Sequence, residues 1–125
     1  MLRSFRLSLI SLTVFVLLPF FASAQGTPFA VGTASAVPGQ KATGYIEVPA
    51  GVNAGTNIPV VVVNGAKPGP VLALVTGAHG TEYVSVIAVE KLIVDFDPAK
   101  ISGTVILIPL VNIASFEQKS RTSIR

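Results

Sequence analysis

His79 is the sole histidine of the 125-residue sequence, and it lies in the run Gly77-Ala78-His79-Gly80-Thr81-Glu82. Imidazole nitrogen and carboxylate oxygen are zinc-type donors at about 2.0–2.2 Å, and a catalytic zinc takes three protein ligands plus a water. His79 and Glu82, separated by two residues across a tight turn, can converge on one ion. Gly77 and Gly80 would let the backbone bend without Cβ clashes. The same residues also fit purely structural work. Thr81 suits a helix cap, Glu82 complements a helix dipole from the first turn, and a lone histidine at a strand end often serves as a local hydrogen-bond partner. Spacing leaves both readings open.

The flanking segments say what must position these groups. Gly44 to Pro49 is a short strand candidate, and Ala50 to Asn57, with two Gly and two Asn, is a loop. Ile58 to Val63 is a β-branched run that fits a strand covered on both faces, with Pro59 expected at its start because proline cannot donate to a ladder. Asn64-Gly65-Ala66-Lys67-Pro68-Gly69-Pro70 is a strong turn signal and predicts a hairpin to the next apolar run, Val71 to Thr76. From Glu82 to about Phe96 the apolar period becomes helical, with so few charges that a mostly covered helix is expected. Asp97-Pro98 stops it. Thr104 to Val111 is a further apolar strand.

Strand, helix, strand is a βαβ unit, so the fold class is α/β, a mixed sheet with a hairpin plus that unit. His79 then falls between a strand's C-terminal end and the following helix, where open α/β sheets bind ligands. Strands apolar on both faces require cover on both sides. One convincing helix is visible, and the residues after Phe116 are polar, with no element to cover the second face. The chain therefore reads as the front part of a larger domain.

Half the residues are hydrophobic and 12% are charged. That bias is concentrated in residues 1–24, where Arg3 and Arg6 precede the apolar run Leu7 to Phe21 and Ala22-Ser23-Ala24 offers a small-x-small cleavage site before Gln25. The run is shorter than the ~20 residues of a membrane span. It predicts a cleaved signal peptide, an exported protein and no stable membrane span after cleavage. The two leader arginines account for two of the three net positive charges. No basic patch is left to argue for nucleic acid. Cysteine is absent, which excludes disulfides, thiolate metal sites and cysteine nucleophiles. Residues 25–43, rich in Gly, Ala, Ser, Thr and Pro, read as a flexible lead-in, and 44–125 as the folded part.

From Gly44 to Arg121 the chain resembles the succinylglutamate desuccinylase/aspartoacylase family, within the wider zinc carboxypeptidase-like group. The resemblance runs through Ile58-Pro59-Val60, Gly65-Ala66-Lys67-Pro68-Gly69-Pro70, Ala78-His79-Gly80-Thr81-Glu82, Gly103-Thr104-Val105-Ile106, Pro109, Asn112 and Arg121. It implies an N-terminal portion of a zinc-hydrolase-like domain, cleaving an amide or related acyl bond in a small acyl-amino-acid or peptide-like substrate. It also implies His79 and Glu82 as the first two Zn2+ ligands and Arg121 as a substrate-handling cation. The family's third ligand, a histidine, and its catalytic carboxylate lie further downstream than this sequence reaches. Alone, the chain is expected to bind zinc poorly and to hydrolyse nothing at a useful rate. The alternatives are an exported non-catalytic binding or structural module and an inactive fragment. Asn112 is expected to fix a strand-end turn rather than touch substrate.

Overall fold

The structure, a computed structural model, describes residues 26–122. The signal peptide expected over residues 1–24 lies outside them. Among the described residues no helix is long and apolar enough to cross a membrane.

Two short strands, β1 (Phe29–Val31) and β2 (Ala34–Ala36), form an antiparallel hairpin. Then follow β3 (Gln40–Val48), β4 (Thr56–Asn64), β5 (Lys67–Val75), helix α1 (Tyr83–Asp95), a 3-10 turn (Pro98–Lys100), β6 (Ser102–Ile108) and the short helix α2 (Ile113–Glu117). The four long strands make one sheet in the order β3-β4-β6-β5. β3 and β6 flank β4 antiparallel, while β5 runs parallel to β6, from Val71 beside Thr104 to Val75 beside Ile108. The mixed α/β sheet and the βαβ unit β5-α1-β6 are therefore as the sequence implies.

The hairpin is displaced from its expected place. It joins β3 to β4, not β4 to β5, because β6 inserts between those two. The Asn64–Pro70 segment does reverse the chain, but it opens around the start of β6: Gly65 N–H donates to the Gly103 carbonyl at 2.8 Å and Ala66 N–H to the Pro98 carbonyl at 3.0 Å. The reason is burial. β6 is the more completely buried strand and takes the central position, leaving β5 at the edge with mostly exposed residues.

β4 shows why a β-branched run suits a doubly covered strand. Val60 and Val62 point into one cluster, with Ala34, Ala36 and Ile108. Val61 and Val63 point into the other, with Val89, Val105 and Leu107. Pro59 lies inside β4 rather than at its start. Opposite it, Tyr45 directs both its N–H and its carbonyl to Thr33, at 2.8 and 2.9 Å, so Tyr45 and Pro59 form a non-hydrogen-bonded pair. The missing donor thus points away from β3, and β6 pairs with β4 only from Val61 onward. No ladder bond is lost.

The expected flexible lead-in is instead structure. Residues 29–36 form the β1–β2 hairpin, and Ala34 and Ala36 are fully or almost fully buried against β4. Its small residues are what allow so thin a layer to lie close on the sheet. This hairpin supplies the cover for the second face, for which the sequence offers no helix. β3 also begins earlier than expected, at Gln40.

α1 covers the first face, though less completely than its composition suggests. Val86 and Val89 are buried, whereas Val84, Ile87 and Val94 face outward. It ends where predicted, with Phe96 N–H bonded to the Leu92 carbonyl at 2.9 Å and Asp97 extended before Pro98. No basic residue sits in its last turn, and Lys41 of β3 supplies that charge by donating its Nζ to the Ile93 carbonyl.

Candidate active site

β5 ends at Val75 and α1 begins at Tyr83, and the candidate site residues His79 and Glu82 lie between them or at the helix start. Thr76 holds the strand end to β6: its N–H donates to the Ile108 carbonyl at 2.9 Å and its hydroxyl to the Pro109 carbonyl at 2.7 Å. The chain then turns sharply at Gly77, whose φ of 65° lies in the left-handed region. Ala78 and His79 follow. Gly80 lies so close to α2 that a Cβ there would sit 2.1 Å from the Ser115 carbonyl carbon and oxygen.

His79 and Glu82 converge. The ring Nδ1 lies 2.6 Å from Glu82 Oε1, the other carboxylate oxygen accepts the His79 N–H at 3.3 Å, and the Glu82 N–H donates to the His79 carbonyl at 3.2 Å. An ionised carboxylate only accepts, so Nδ1 carries the proton in this contact. Both side chains are open to solvent, at 36% and 41% exposure, so a small ion or ligand can reach them. Hydrogen bonds from the His79 ring and N–H hold the Glu82 carboxyl below its ordinary value of 4.5.

Glu82 occupies the N-cap position of α1, yet its side chain caps nothing. Ser85, in the first turn, donates its hydroxyl back to the Glu82 carbonyl at 2.9 Å and caps no N–H either. Thr81 is therefore not the cap. Glu82 stands just outside the first turn rather than within it, and its carboxylate is turned back to His79.

The second wall of the turn comes from the segment after β6. Asn112 donates its N–H to the Gly77 carbonyl at 3.0 Å and its Nδ2 to the Ala78 carbonyl at 3.1 Å, and its Oδ1 accepts the Ser115 N–H at 3.1 Å. It thus caps α2, the helix not foreseen after β6, and fixes the strand-end turn as expected. Tyr83 and Phe116 meet edge to face with ring centroids 5.6 Å apart, a second brace between α1 and α2. The signal for α2 was present in retrospect: Asn112 stands one residue before Ile113-Ala114-Ser115-Phe116, the position where asparagine caps a helix.

Arg121 arrives beside the same turn, through its backbone. Its carbonyl accepts the Gly80 N–H at 3.4 Å, while its side chain is exposed and has no ion-pair partner among the described residues. No group of three or more metal-ligating His, Cys, Asp or Glu side chains occurs among the described residues.

The histidine–glutamate pair thus sits at the C-terminal end of a parallel strand in a mixed α/β sheet, the position at which open α/β sheets commonly bind ligands. The sequence model of the succinylglutamate desuccinylase/aspartoacylase catalytic domain matches residues 68–125, so the chain carries that family's sequence pattern over this segment. Among solved structures, a succinylglutamate desuccinylase/aspartoacylase from Rhodobacter sphaeroides is 31% identical with a TM-score of 0.59, covering 66% of this chain and 26% of its own. An aspartoacylase family protein from Mesorhizobium loti is 24% identical with a TM-score of 0.63, covering 78% of this chain and 30% of its own. The product-bound ectoine utilization protein from Ruegeria pomeroyi is 24% identical with a TM-score of 0.61, covering 78% and 29%. The chain thus spans 26–30% of the length of these relatives. A comparison with curated proteins gives no match.

Proposed function

We propose that this chain carries the first two zinc ligands, His79 and Glu82, of an exported hydrolase that cleaves an amide or related acyl bond in a small acyl-amino-acid or peptide-like substrate. The observation that carries this reading is the 2.6 Å approach of His79 Nδ1 to Glu82 Oε1 within the segment that matches the family. The proton shared by the two groups marks the point where a cation would replace it, since metal binding requires both donors deprotonated. An imidazole nitrogen and a carboxylate oxygen are a fitting donor set for zinc. When bound, the ion supplies Lewis acidity toward a carbonyl and toward water.

The chain's own residues then have distinct tasks. Glu82, ionised well into acid, brings negative charge to the site, and its N–H contact to the His79 carbonyl closes the turn. Arg121 offers a guanidinium whose bidentate fork suits a substrate carboxylate or a developing oxyanion. Its backbone bond to Gly80 keeps it at the rim of the same turn. With one histidine in the sequence, a second imidazole donor cannot come from these 125 residues. Two protein donors hold zinc weakly, so the chain on its own is expected to bind it weakly and to be inactive.

Isothermal titration of the chain with Zn2+ tests this. Weak binding is expected in the wild type and at least a tenfold loss in His79→Ala and in Glu82→Gln. Tight stoichiometric binding at neutral pH contradicts the two-donor site. Binding unchanged by both substitutions favours instead an exported, non-catalytic module. Export is tested separately by N-terminal sequencing of the secreted product, which should begin at Gln25.

A further inference from the structure

We propose that Asn112 is a positioning residue for the His79–Glu82 pair, an inference that rests on the functional reading of that pair. Asn112 holds two consecutive carbonyls, Gly77 and Ala78, immediately ahead of His79, one through its main chain and one through its side chain. The helix it caps, α2, presses its Ser115 backbone against Gly80, the residue immediately after His79. The segment leaving α2 then accepts the Gly80 N–H at the Arg121 carbonyl. His79 is therefore gripped on both chain sides by one element, and Asn112 is the residue at which that element joins the turn.

The geometry separates two roles within one side chain. Oδ1 accepts from Ser115 and starts α2, while Nδ2 donates to Ala78 and fixes the turn. The Ala78 bond is the one that matters for the pair. With Gly77 in a left-handed conformation and Gly80 free of a side chain, the turn has little steric stiffness of its own. A donor clamped on the Ala78 carbonyl fixes the peptide plane that leads into His79, and hence the direction of its Cα–Cβ bond toward Glu82. The same residue sets where α2 starts, and so where Arg121 emerges.

Asn112→Asp divides these roles. Aspartate retains the acceptor and caps α2 at least as well. It has no donor for Ala78 and places an oxygen against that carbonyl, leaving the turn unclamped. The readout is the imidazole 15N signal of His79, which is unambiguous because the sequence has one histidine. In the metal-free wild-type chain, Nδ1 should show the signature of a proton held on that nitrogen, and Glu82→Gln should shift it. Asn112→Asp is expected to shift it likewise, toward the averaged signal of a free imidazole, while helix content is retained. It should also weaken Zn2+ binding about tenfold. Asn112→Ala, which removes both contacts, should do the same with some loss of fold stability. An Asn112→Asp chain with the wild-type His79 signal overturns the positioning role alone. A wild-type signal that Glu82→Gln does not alter overturns the pair itself, and with it the functional reading.

Discussion

Glu82 stands where a carboxylate would ordinarily serve the open N–H groups of a helix start, and it serves His79 instead. That choice sets a pH dependence. Its folded-state pKa is lowered, chiefly by the side-chain hydrogen bond with His79. The contribution of the contact is thus fully present above the ordinary value of 4.5 and is lost as pH falls through the lowered folded value. The Glu82 side-chain carboxyl 13C signal should therefore change in a step below pH 4.5, and His79→Ala should move that step up toward the ordinary value. A step at or above 4.5 would mean that the carboxylate gains nothing from the histidine. At neutral pH the contact stands intact, and that is the state a cation would meet under the proposed function. Arg121 belongs to the same scale. Its exposed side chain bears little on stability, so Arg121→Ala should leave the unfolding free energy within about 0.5 kcal/mol of wild type in a denaturant titration.

Between residues and the whole lie the elements that hold the turn, and α2 is the decisive one. Gly80→Ala would place a methyl 2.1 Å from the Ser115 carbonyl group, backbone against backbone, so α2 must move. The expected cost is about 1–3 kcal/mol in denaturant unfolding, together with loss of the His79–Glu82 signal. Lys41→Met tests the other end of the crossover, where a strand residue serves the last carbonyls of α1. About 0.5–1.5 kcal/mol should be lost there, with the His79 signal unchanged. These elements also show how far the sequence could be read. The βαβ unit was legible because the period changes cleanly at Glu82 and returns at Thr104. The His79–Glu82 pair was legible because three residues of spacing fix its geometry locally. The sheet order was not. A turn such as Asn64–Pro70 reports that the chain reverses, and nothing local reports that β6 returns to fill the gap. The β1–β2 hairpin was missed for a related reason: Ala34 and Ala36 are buried for their smallness, while composition scales read small residues as linker. α2 is too short to show a period, and only its asparagine cap announces it.

For the molecule as a whole, inserting β6 at the centre leaves β5 with one ladder partner and little cover. Val71 and Val75 lie on the face shielded elsewhere by the β1–β2 hairpin, but that hairpin packs over β3 and β4 and does not reach them. Leu72 lies on the α1 face and is still 53% exposed. On α1 itself Val84, Ile87 and Val94 point outward, and Val84 lines one hollow with Val75 at the strand's end. An edge strand that is apolar between Val71 and Val75, with no charge in that stretch, presents unpaired N–H and carbonyl groups to any similar strand. The isolated chain should therefore self-associate, and its apparent mass in sedimentation should rise with concentration. Replacing Val71 and Val75 together with lysine should return it to a monomer, because a charged edge opposes strand addition. Since both side chains are about half exposed, the double substitution should change folding stability far less than association. A wild-type chain that stays monomeric at about 100 μM, well within the range where exposed edges aggregate, would show that β5 is not an open edge in solution. A lysine variant that unfolds instead would show that the two valines contribute more to the core than their exposure implies.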